Sequence, residues 1–199
     1  MPIQRANSLR HADQGLRAIV TPARFFAAVI AVSLAVLAPV LASAPAAAYA
    51  TTGCKWSTGS LRIDYRYVNG TFRDTLTSAK THYNANTDVN LSLTDSSGPA
   101  WTAANSNYGA TGWVGHSSWT CLFGNTLNSQ MQLNQYYISN TDPYYRIRLV
   151  WLHEMGHSLG LAHVSNAYRV MYSGGTGTVY SNGITTLTTD DKNGINALY

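Results

Sequence analysis

The side chains best suited to chemistry are gathered in one run, His153-Glu154-Met155-Gly156-His157-Ser158-Leu159-Gly160-Leu161-Ala162-His163. On a helix, residues i and i+4 lie on one face about a turn apart, so His153 and His157 point the same way and both imidazoles can reach one ion. Glu154 sits beside them, close enough to touch a water on that ion without being a ligand. Gly160 lets the chain turn sharply, which allows His163 to return as a third ligand. Three neutral nitrogen donors and an open fourth position describe a catalytic zinc site rather than a closed structural one. The bland alternative is a helix whose histidines are merely satisfied. Against it, these five fixed positions should arise by chance in only about one chain in 10⁵ of this size. Glu154 is also the only glutamate in the chain, so background usage does not explain it.

Several elements must hold that run in place. Asp142 as N-cap and Pro143 at the first helical position open a helix that continues through Ser158. It carries Ile147, Leu149, Val150, Trp151 and Leu152, and ends near Gly160 with positive φ. Upstream, Leu61 to Val68 alternates apolar and charged residues as a half-buried strand does, and Asn69-Gly70 ends it. Phe72, Leu76, Ala79 and Tyr83 then repeat at helical spacing to about Asn84. Val89, Leu91 and Leu93 alternate again before the turn cluster Asp95 to Pro99. Residues 100–130 are rich in Asn, Ser, Gly and Trp and show no clear period. Met131 to Ser139 is β-prone, and its Asn and Gln content suggests an edge strand with one wet face. Thr188 to Asp191 starts a last helix with its acids at the positive dipole end, burying Ile195 and Leu198. Strand, helix, strand order predicts an α+β fold with a mixed sheet that has at least some parallel pairs.

The chain has 199 residues, 45% hydrophobic and only 11% charged, with a formal charge of +4. That is too hydrophobic for a disordered chain and long enough for one cored domain plus a processed segment. Arg5, Arg10, Arg17 and Arg24 precede an apolar run from Phe25 to Leu41, followed by alanine-rich small residues. This order reads as a secretory signal peptide over residues 1–50, with cleavage after Ala48 or Ala50. An uncleaved anchor is the alternative, disfavoured by Pro39, Pro45 and the small-residue end. From Thr51 onward the net charge is only +1. Nucleic-acid and membrane-surface functions therefore lose their support, and the expectation is a monomeric extracellular protein. Cys54 and Cys121 are the only cysteines, and in an oxidising compartment they read as one disulfide. A second reading, Cys54 as a thiolate that keeps the metal site latent, would leave Cys121 unpaired.

Together with the residues C-terminal to it, the zinc run resembles the metzincin metallopeptidases, and most closely the matrixins. Val170-Met171-Tyr172 matches their methionine turn, eight residues beyond His163. The segment from Leu187 to Tyr199 is similar to their C-terminal helix. The resemblance implies a zincin-like catalytic domain over 51–199, with an upper part at 51–160 and a lower part at 161–199, split by a cleft. It implies that His153, His157 and His163 bind zinc, that Glu154 is the general base, and that Met171 lies beneath the metal. Met131-Gln132-Leu133-Asn134 is placed like the strand bordering the family's substrate cleft. Two departures stand out: Val164 follows His163 where matrixins usually have serine, and the glycine-rich Ser173 to Gly177 lengthens the wall of the S1′ pocket. The family's second, structural zinc set is not recognisable, His82 and His116 looking isolated. Calcium could be held by nearby Asp, Asn and Gly carbonyls, but no ligand loop of known spacing appears. The function implied is a secreted zinc endopeptidase acting on protein or peptide substrates, with an inactive metzincin-fold peptide-binding module as the alternative.

Overall fold

A computed structural model describes residues 49–199, and residues 1–48 of the export segment expected over 1–50 lie outside the described residues. Strand β1 (Ala50–Thr51) is followed by β2 (Ser60–Tyr67), helix α1 (Gly70–Asn86), β3 (Asn90–Thr94), β4 (Trp101–Ser106), β5 (Gly115–Leu122) and β6 (Asn125–Asn134). Then come helix α2 (Tyr144–Ser158), β7 (Leu161–Ala162), α3 (Thr176–Ser181) and α4 (Thr189–Leu198). Five strands form one sheet in the order β3-β2-β4-β6-β5; β5 alone is antiparallel to its neighbour. This is the α+β, mixed-sheet architecture expected.

Helix α1 follows its apolar spacing closely. Phe72, Leu76, Ala79 and Tyr83 are all fully buried, and they form the stripe that meets α2. Two side-chain bonds lock the pair: Tyr83 Oη donates to the Leu152 carbonyl at 2.8 Å, and Trp151 Nε1 donates to the Phe72 carbonyl at 3.0 Å. Helix α2 is apolar on several faces because it is enclosed on several sides. Ile147, Leu149, Val150, Trp151, Leu152 and Met155 are all buried, and burying each such side chain contributes roughly 1.5–3 kcal/mol.

A helix end leaves its last carbonyls without partners, and α2 ends inside the protein. Distant residues satisfy them. Trp56 Nε1 donates to Ser158 O at 2.9 Å, Tyr199 Oη to Leu159 O at 2.9 Å, and Thr52 N to Gly160 O at 2.8 Å. Gly160 has φ +110°, and a Cβ there would overlap the Cys54 carbonyl, so the sharp exit from α2 requires glycine twice over. Cys54 and Cys121 form a disulfide with Cα atoms 6.0 Å apart, which leaves no free thiolate at Cys54. The bridge ties the segment covering the α2 exit to the far end of β5.

Two expectations need correction. The strand around Met131 ends at Asn134 and is not an edge: β6 is paired on both sides, by β4 and by β5. Gln130 is exposed and Gln132 half-buried, Asn134 is buried and bonded to Tyr108, Gly109 and Thr111, and Met131 and Leu133 face the core. The edge bordering the site is β5, drawn from the stretch without apolar period. Second, Asp142 does not cap α2. Its carboxylate accepts from the Ser139 backbone N–H at 2.8 Å and pairs with Arg146, so it closes the preceding turn, and Pro143 takes the N-cap position. Ala50, at one of the two expected cleavage points, pairs with Ala162 as part of β1–β7.

Candidate metal centre

Helix α2 carries His153 and His157 on one face, and the turn through Gly160 brings His163 back against them. The three Nε2 atoms lie 3.0–3.1 Å from one another. Their partners on the other ring nitrogen decide what those atoms are. His153 Nδ1 is 2.7 Å from the Val170 carbonyl, and His157 Nδ1 is 2.8 Å from the Leu161 carbonyl. A carbonyl only accepts, so both Nδ1 atoms carry the proton and both Nε2 atoms present lone pairs. Burial drives the same way, lowering His153 to about 3 and His157 to about 4, with the neighbouring imidazole charge adding to it. The Nε2 lone pairs of His153 and His157, 3.1 Å apart with no proton between them, repel. A cation removes that repulsion, and three imidazole nitrogens with an open side suit zinc.

Glu154 is almost entirely buried beside the triad. Burial pushes its carboxyl up to about 8 in the metal-free protein, and the Ser117 hydroxyl opposes that shift. Below α2, Met171 occupies the place a Cβ on Gly156 would need, in the helical turn between His153 and His157. The backbone N–H groups of Val170 and Met171 donate to the buried Asp191 carboxylate at 3.2 and 3.4 Å. Asp191 also caps α4, accepting from Thr188 N at 2.9 Å, so one carboxylate joins the methionine turn to the last helix.

The decisive comparison concerns the whole of this arrangement: the family model described as Matrixin matches residues 70–199. The chain belongs to the matrixin family, and so to the zinc metallopeptidases. Over 48 residues it is 52% identical to a protein of Spodoptera frugiperda ascovirus 1a named "Putative matrix metalloproteinase". That match covers 24% of this chain and 12% of the viral protein, so the chain spans a small part of that relative's length.

Around the triad of this matrixin, the space divides in two. One cleft of about 470 Å³ runs past Trp113, His116 and Trp119. Another of about 400 Å³ is walled by Ser173 to Thr178, within the glycine-rich segment that α3 continues. His116 packs on Trp113 with ring centroids 5.4 Å apart and joins no second group of metal ligands among the described residues. His82 is not one of the triad, its Nε2 accepting from the Leu187 backbone N–H at 3.2 Å.

Residues of β5 supply what the zinc run does not announce. Ser117 Oγ lies 2.8 Å from Glu154 Oε2, Gly115 faces the same carboxylate, and Trp119 stacks at 18° on His157 with centroids 6.4 Å apart. The only sequence signal for them is alternation: Gly115, Ser117 and Trp119 share one face of a strand.

Proposed function

We propose that the chain is an exported zinc endopeptidase, with His153, His157 and His163 as the metal ligands and Glu154 as general base and acid. The observation that carries this reading is the convergence of bare Nε2 lone pairs beside one buried carboxylate. Zinc held there would supply Lewis acidity, which would make a bound water nucleophilic near neutral pH and polarise the scissile carbonyl. Glu154 takes a proton from the attacking water and passes it to the leaving nitrogen as the C–N bond breaks. The free edge of β5 suits a substrate added as an extended strand, held by main-chain hydrogen bonds. Replacing Glu154 with Gln should lower kcat on casein or gelatin by about 100-fold or more while zinc stays near one per chain. Comparable cleavage by that variant would refute the mechanism; a zinc-loaded wild type that binds peptides without cutting them would favour the binding-module reading.

Export completes the proposal, with the signal removed after Ala48. Cleavage there keeps the two residues that the domain uses: Ala50 pairs with Ala162, and the Tyr49 ring lies against Gly194, where a Cβ would sit 2.9 Å from Tyr49 Cγ. Amino-terminal sequencing of protein from the culture medium should begin Tyr49-Ala50-Thr51. A start at Thr51 would place the cut after Ala50.

A further inference from the structure

We propose that Ser117 is a positioning residue that ties down one oxygen of Glu154 and leaves the other to move the proton, a role that rests on the peptidase reading. A glutamate side chain on a helix has three rotatable bonds, and proton transfer tolerates little wandering of the accepting atom. The strand opposite restricts it in two ways. Ser117 Oγ donates to Oε2 at 2.8 Å, a bond strengthened by the carboxylate charge. Two residues earlier, on the same face of β5, Gly115 leaves a gap that Oε1 fills. A Cβ at that position would overlap Oε1 and come within 2.6 Å of Val150 Cγ1 and 2.9 Å of Glu154 Cδ. Gly115 therefore makes the room and Ser117 makes the tether.

The two oxygens are left unequal. Oε1 has no hydrogen-bond partner among the described residues, and the buried polar atoms lacking one are Trp101 Nε1, Arg148 Nε and Arg169 Nε. Oε1 is not among these sealed atoms, so it is reached from the cleft. Oε2 is held by the strand, and Oε1 is the atom that takes the proton. The Ser117 hydroxyl also lies 2.9 Å from the Glu154 backbone carbonyl, so its proton has a second acceptor on the same residue. The ionised carboxylate is the stronger acceptor, so the single Ser117 proton goes to Oε2 and fixes Glu154 to β5 rather than to substrate.

Because Glu154 is the sole glutamate, protein labelled with [5-¹³C]glutamate shows one carboxyl carbon resonance, with no assignment needed. In zinc-loaded Ser117→Ala, that resonance should move, and kcat on a quenched peptide should fall by about tenfold, the effect of one lost bond of about 1.4 kcal/mol. KM should stay within about twofold, since the tether does not touch substrate. Ser117→Thr, which keeps the hydroxyl, should restore both readings, and equal zinc content shows that the variants are folded. An unchanged kcat in Ser117→Ala overturns the proposal, as does an unmoved resonance. A zinc-loaded wild type with no turnover would instead overturn the peptidase reading beneath it.

Discussion

Single residues set the site's geometry through close contacts with its helix and ligands. Glycine at 156 illustrates this: its hydrogen is all that separates α2 from the Met171 thioether. Gly156→Ala should force Met171 or the helix to shift, at a cost of about 1–3 kcal/mol in denaturant unfolding at unchanged slope. The shift would fall between two metal ligands, so zinc affinity should weaken as well. Wild-type stability and zinc affinity in that variant would show that the methionine turn does not press on the helix as described. The neutral imidazoles belong to this scale too. Carbonyls of Val170 and Leu161 orient His153 and His157 before any ion arrives, so the ligands need little rearrangement on binding.

Among the elements, α1 and the segment leading into α4 meet at a titratable contact. His82 Nε2 accepts the Leu187 N–H, and burial first, then the charges of Arg148 and Lys192, hold His82 below its ordinary value. A histidine with a depressed folded pKa contributes stability that is present in full above the unfolded value of about 6.5 and is lost as pH falls below it. Zinc-loaded wild type should therefore lose more stability between pH 7 and 5 than His82→Gln, which offers an amide acceptor that does not titrate. Equal pH slopes for the two proteins would remove His82 from the account. The same scale explains which elements were legible. Helices α1, α2 and α4 announced themselves through apolar spacing and, in α4, through Thr188 and the acids after it. β5 did not, because only its inner face is covered and its residues there are Gly115, Ser117 and Trp119 rather than a β-branched series. Its strand character comes from pairing with β6 around Phe123-Gly124, a tertiary fact.

At the scale of the whole molecule, the metal run was readable because its ligands are local, successively four and six residues apart. The residues that surround it were not. Ser117 precedes Glu154 by 37 positions, Trp56 reaches Ser158 across 102, and Tyr199 reaches Leu159 across 40. Such long connections are typical of a site built where a sheet edge, a central helix and both ends of a domain converge. The disulfide secures one of them, closing a separation of 67 residues, for which loop-closure entropy suggests a contribution of about 4 kcal/mol. It holds the segment around Cys54 over the Gly160 turn, the point from which His163 is aimed.

We propose that one zinc ion, held by three histidines beside Glu154, gives this domain its peptidase activity. The most direct test is a zinc titration of chelator-stripped protein, following cleavage of a quenched peptide. Activity should start from background, rise linearly, and break at one zinc per chain. Cleavage that persists in the stripped protein, or stays at background with one zinc bound, would contradict the account.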